Sequence, residues 1–157
     1  APVPEFLERG IVVGLGADGA PCNNNLDMFQ EMRLASLMHK PRIGPRGMPA
    51  MSVLEMATLG GARALGLEDE LGSLEPGKRA DVIVIRRDGL HAQPHAGVDP
   101  IAQVVYEHRA SDVDSVIIDG KVLVRGGEFT EFDPMEIRAR ANDSVERVLA
   151  RAELANG

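Results

Sequence analysis

The residues with the most chemical promise stand early in the chain. Gly14-Leu15-Gly16-Ala17-Asp18-Gly19 follows a short apolar run and precedes a helical pattern. Its Gly14, Gly16 and Gly19 match the spacing of a dinucleotide-binding loop. The surroundings do not fit that reading. Polar residues through Asn25 separate the last glycine from the helix, and no second strand ending in an acid follows about 20 residues on. Asp18 supports a different chemistry. It lies just past the strand-like run Ile11 to Leu15, where α/β barrels collect catalytic residues. A carboxylate there can ligate a metal ion, or take a proton from an activated water and pass it on. It can equally close an Asx-turn in a glycine-rich loop, and spacing leaves both readings open.

One carboxylate is not a metal site, because catalytic zinc usually has three protein ligands. The four histidines, His39, His91, His95 and His108, do not complete one by spacing. Pro94 separates His91 from His95 and argues against a helix that would put both on one face. His39 ends a helical pattern, where it suits the negative pole. For all four, surface or capping roles outweigh ligation. Cys22 has no histidine partner at a spacing that marks a thiol nucleophile. A Gly-x-Ser-x-Gly elbow and a Walker loop are both absent from the sequence.

The elements that would position these residues can be read from periodicity. Pro2 to Arg9 patterns as a short helix ended by Gly10. Ile11 to Leu15 is continuously apolar, as in a strand buried on both faces of a parallel sheet. Leu26 to His39 keeps a 3.6-residue apolar rhythm, with Asn25 at its N-cap. Lys40 to Ala50, with three prolines and two glycines, reads as a loop. Ser52 with Glu55 matches a capping box for a second helix, which Gly60-Gly61 interrupts. From Leu71 the texture turns to short β-rich runs: Val82 to Ile85, Val116 to Ile118 and Val122 to Val124. Asp119-Gly120 lies between the last two, and such a link favours a type I′ hairpin. Asp99-Pro100 opens a helix through Tyr106. Pro134 to Leu154 patterns as a long charged helix with an apolar stripe of Ile137, Ala141, Val145, Val148 and Ala152.

Composition narrows the functions available. The 157 residues carry 17 Lys+Arg against 24 Asp+Glu, a net charge of −7, so nucleic acid and anionic membranes are not expected partners. No apolar run approaches the ~18 residues of a membrane span, and Ala1 to Gly10 has no signal-peptide pattern. A single cysteine excludes an internal disulfide framework and favours a reducing, cytoplasmic compartment. Four Phe, one Tyr and no Trp give little for stacking on single-stranded nucleic acid.

Three ordered motifs together resemble the metal-dependent amidohydrolase superfamily. The first is Gly14 to Ala20 with Asn23-Asn24-Asn25-Leu26-Asp27-Met28-Phe29-Gln30-Glu31-Met32-Arg33, similar to the last barrel strand and following helix. The second is Ala57-Thr58-Leu59-Gly60-Gly61-Ala62-Arg63-Ala64-Leu65-Gly66 with Gly72 to Asp81, similar to the exit into a small β domain. The third is Val113 to Val124, similar to a late hairpin. The branch they resemble is that of the aminohydrolases and chlorohydrolases of purines and triazines, including methylthioadenosine/S-adenosylhomocysteine deaminases. Ala17 stands where many relatives carry Thr.

The resemblance implies an α/β fold: the C-terminal segment of a (β/α)8 barrel over residues 1–70, part of a composite β-sandwich over 71–130, and a C-terminal helix over 131–157. It implies hydrolysis of a C–N bond in a heterocyclic substrate (a purine, pterin or triazine) by metal-bound hydroxide, with one divalent ion, zinc or iron. Asp18 matches the aspartate that touches this metal and shuttles the proton; Asn23 and Asn24 fall in the loop on the substrate side. The family's His-x-His pair, its further histidines and its catalytic Glu have no counterpart here. A barrel alone takes about 250 residues. The expectation is therefore a C-terminal third, inactive by itself, that self-associates or forms a homo-oligomer. The alternative is a non-catalytic module completed by a partner.

Overall fold

The computed structural model describes residues 1–94 and 96–155. Its first half is helical: α1 (Val3–Glu8), α2 (Met28–Ile43), α3 (Ala50–Ala57) and α4 (Leu59–Leu65). A β-rich second half follows, with β1 (Val82–Ile85), α5 (Pro100–Tyr106), β2 (Val113–Ile118), β3 (Lys121–Arg125), β4 (Glu128–Phe129) and the closing helix α6 (Pro134–Ala155). Short 3₁₀ turns at Leu90–Ala92 and Ala110–Asp112 flank α5.

The core forms where α2, α3 and α5 meet. Phe29, Met32, Met48, Val53, Met56 and Val105 fill it, with Ile85 and Val113 packed against its edge. Three of these six are methionines, whose flexible thioethers fill an irregular space in a chain with few aromatic rings. Ser36 is fully buried among them and satisfied: its Oγ lies 2.8 Å from the Met48 carbonyl and 2.6 Å from the Tyr106 hydroxyl. A Glu5–Arg42 ion pair fastens α1 to α2. The Arg42 hydrogen bonds hold the Glu5 carboxyl at about 2, although both groups are exposed.

The β-rich half is one antiparallel sheet in the order β1-β2-β3-β4. Asp119 and Gly120 both adopt positive φ, +50° and +79°, the backbone that a type I′ turn requires. Ile118 pairs with Lys121 across that turn. The hairpin tip is tied back to the segment before β1, because Asp119 N–H donates to Asp81 Oδ1 at 2.7 Å. Among the described residues this part of the chain contributes one four-stranded sheet.

Several sequence expectations need correction. Ile11 to Leu15 joins no sheet. It runs alongside the helices, with Leu15 N–H donating to the Met56 carbonyl at 3.1 Å. An apolar run becomes a strand only beside a backbone that can complete its ladder, and Ile11 and Val12 remain about half exposed. The N-cap of α2 is Asp27 rather than Asn25. Its Oδ1 accepts from Phe29 N–H at 2.9 Å, and a carboxylate also suits the positive helix end. The helix continues through Pro41 to Ile43 because the proline removes only one hydrogen bond in an exposed last turn. α3 starts at Ala50 behind an extended Pro49, which leaves Ser52 inside the helix. The break between α3 and α4 falls at Thr58, so Gly60 and Gly61 lie within α4. They serve close packing: a Cβ on Gly60 would sit 3.0 Å from the Val13 carbonyl oxygen, and one on Gly14 would sit 3.0 Å from Gly61 Cα.

Candidate functional site

Asp18 occupies the loop between Leu15 and α2. Its φ of +59° places it in the left-handed region, and its Oδ1 accepts from Gly19 N–H at 2.7 Å. Aspartate tolerates this region better than most side chains because it can bond locally to the backbone. The conformation still costs free energy, and such outliers cluster at functional sites. The carboxylate is exposed. That one hydrogen bond leaves further lone pairs on the carboxylate open to a ligand.

The neighbouring loop residues are differently engaged. Asn23 is half-buried, with Nδ2 donating to Glu31 Oε1 at 2.6 Å and Oδ1 accepting from Asn25 N–H at 3.3 Å. Asn23 thus secures the loop to the first turn of α2, while Asn24 is exposed beside it. Cys22 is exposed as a free thiol. The glycines of the dinucleotide pattern do not open a helix, since α2 begins only at Met28. Gly14 instead meets Gly61 of α4, so a packing contact accounts for it. A groove lined by Ile11, Val12, Val13, Ser52, Glu55 and Arg63 runs along the same segment and does not include Asp18. Arg63 and Glu55, both of which line it, pair at 2.8 Å.

A second cluster gathers histidines that spacing set aside. His91, on the Leu90–Ala92 turn, places Nε2 2.8 Å from Asp112 Oδ2. His108, just beyond α5, places Nδ1 3.3 Å from the same oxygen. Arg109 N–H donates to that oxygen as well, at 2.9 Å. His108 and Asp112 are buried, and the two rings meet edge to face with centroids 6.5 Å apart. Burial raises the Asp112 carboxyl, but the hydrogen bonds from His91, Arg109 and His108 outweigh it and hold the group below its usual range. Arg33 of α2 donates to the His108 carbonyl at 3.1 Å and fixes the backbone there. The sequence signal for this cluster was His108 with an acid four residues on; His91 comes from a separate turn and could not be matched to them by spacing. His39 stands in α2, and His95 lies outside the described residues.

Comparisons with known proteins place these features in a family. The family model described as the amidohydrolase family matches residues 1–123. A 5-methylthioadenosine/S-adenosylhomocysteine deaminase of Syntrophomonas wolfei is 48% identical over 152 residues, covering 96% of this chain and 35% of the relative. A 5′-deoxyadenosine deaminase of Methanothermobacter thermautotrophicus is 48% identical over 129 residues, 82% of this chain and 29% of that protein. Among solved structures, a zinc-bound adenosine deaminase from Xanthomonas campestris superposes with a TM-score of 0.91 at 32% identity, covering 96% of this chain and 34% of that one. A zinc complex of atrazine chlorohydrolase from Arthrobacter aurescens gives 0.80 at 34% identity, covering 91% and 32%. The chain therefore spans about a third of the length of the relatives it matches. With a model match over most of its residues and an ordered set of motifs in agreement, the chain belongs to the amidohydrolase family.

Proposed function

We propose that this chain is the C-terminal part of a hydrolytic deaminase acting on a purine nucleoside or a similar amino-heterocycle, and that Asp18 moves the proton in that reaction. Likeness to deaminases over nearly the whole chain carries this reading, and the exposed, left-handed Asp18 beside it supports the assignment of the residue. In the complete barrel, with neighbouring strands to complete its ladder, Ile11 to Leu15 would form the last strand, with Asp18 just past its end and Asn23 and Asn24 on the substrate side.

A divalent metal, zinc or iron, fits the donor chemistry only in part. A carboxylate oxygen is a suitable ligand, but catalytic zinc needs about three protein ligands, and Asp18 supplies one. Such an ion, when bound, activates water and polarises the substrate. Asp18 has the complementary task. Its free carboxylate oxygen accepts the proton of the attacking water and returns it to the departing amino group, while the Gly19 N–H bond fixes the other oxygen.

The full-length protein should release ammonia from at least one of adenosine, methylthioadenosine, guanine, a pterin or a triazine, and should lose that activity to a chelator. The 157-residue chain alone should show no turnover above background. Absence of ammonia release from the full-length protein across this panel would overturn the deaminase reading.

We propose further that the isolated chain self-associates. Ile83 and Val84 of β1 and Leu65 and Leu74 nearby are all exposed, as are Ile137, Val145, Val148 and Leu149 along α6. Apolar surface on this scale seeks a cover, and open strand edges pair with available backbone. Light scattering should show a mass that grows with concentration. A constant monomer mass at every concentration would refute it.

A further inference from the structure

We propose that His91 Nε2, His108 Nδ1 and Asp112 Oδ2 form a binding site for a divalent transition-metal ion of the zinc class. The three atoms come from two segments, the Leu90–Ala92 turn and the α5–β2 connection, yet all lie within 4.8 Å of one another. Two ligand atoms about 2.0–2.1 Å from one zinc ion at a tetrahedral angle lie roughly 3.3 Å apart. The His108–Asp112 separation already has that value, at 3.3 Å, and the His91 ring must turn to open its 2.8 Å separation from Asp112 and face the same point as His108. Two imidazoles with one carboxylate select zinc, cobalt, nickel or iron over calcium and magnesium, which prefer all-oxygen sites.

The surroundings suit a bound ion. His108 and Asp112 are 2% and 8% exposed, so two ligands are held by packing before any ion arrives. His91 keeps about a third of its side chain in solvent and leaves a route in, with room for a water ligand. Arg109 N–H stays on Asp112 Oδ2 and orients the carboxylate, as outer-shell donors do in metal sites. Coordination requires each imidazole to be neutral, with its proton on the nitrogen facing away from the carboxylate: Nδ1 of His91 and Nε2 of His108. The ion would replace two hydrogen bonds by coordinate bonds and lock the Leu90–Ala92 turn to the α5–β2 connection. Asp18 takes no part, so this site is independent of the deaminase reading.

Cobalt(II) serves as the probe because its visible absorption reports coordination number and ligand type. In a Cys22→Ser background, the 157-residue chain should take up one cobalt ion with a micromolar Kd and show the intense bands of a four- or five-coordinate centre. His91→Ala, a change at the exposed ligand, should weaken uptake at least tenfold. Asp112→Asn, which keeps the shape of a buried group, should do the same. Asp18→Asn should leave uptake unchanged, and zinc should raise the melting temperature of the parent but not of His91→Ala. No uptake at 100-fold the protein concentration, or uptake that His91→Ala leaves intact, would overturn the site. The cluster would then be a hydrogen-bonded clamp only.

Discussion

Asp18→Asn in the full-length enzyme should lower kcat by about 10²–10⁴-fold, the usual contribution of a positioned proton-transfer group. The substitution is close to isosteric and isolates the chemistry. Asparagine tolerates the left-handed φ of +59° and still offers an oxygen to Gly19 N–H, so the loop should keep its shape. What disappears is the charge and the basic oxygen. KM should change far less than kcat, because a group that acts on the moving proton stabilises the transition state more than the bound substrate. Circular dichroism and the melting temperature should match the parent, which separates lost chemistry from lost fold. An unchanged kcat would remove Asp18 from the mechanism.

Much of this architecture was legible because local rules and tertiary packing agree. α2 and α6 form where their periodicity predicts helices, although Leu34, Leu37 and the stripe of α6 stay exposed; α5 opens at Asp99-Pro100, and Asp119-Gly120 makes the turn its type demands. The misread positions are those where a distant contact decides. Ile11 to Leu15 has the composition of a buried strand, but strand formation depends on lateral neighbours and not on its own residues. Gly60-Gly61 looks like a helix breaker, yet α4 runs through both, and at Gly60 the Val13 and Glu55 carbonyls leave no room for a side chain. Asn25 and Asp27 are both good caps, and the choice rests on which oxygen reaches the Phe29 amide. The histidines illustrate the same limit. His91 and Asp112 are 21 positions apart and meet only because α5 folds back between them. By contrast, the loop motif around Asp18 is contiguous and can be read without any tertiary contact.

Gly72→Ala should be among the most destabilising single substitutions, at about 2–5 kcal/mol. Gly72 sits at φ +88°, and a left-handed backbone costs an L-residue roughly 1–2 kcal/mol. A Cβ there would also lie 2.8 Å from Leu59 Cα and 2.9 Å from Ala62 Cβ, on the flank of α4. Those atoms belong to a helix and cannot swing aside as the tip of a long side chain can, so overpacking adds about 1–3 kcal/mol. For a chain of this size, the sum corresponds to a fall in Tm of roughly 4–20 °C. Gly66→Ala provides the control. Gly66 has a similar φ, +69°, but nothing lies within 4 Å of its Cβ position, so only the backbone cost applies there. Denaturant titration of the two variants separates conformation from contact, and equal losses would show that the α4 contact contributes nothing. The contact matters for the fold because Leu71-Gly72-Ser73 is where the chain leaves the helices for the sheet. Leu65, Leu71, Leu74, Val82 and Ile83 line one groove across that passage. Pushing Gly72 off α4 would loosen the side of α4 that faces β1, while Gly60 and Gly61 hold its other side against the segment leading to Asp18.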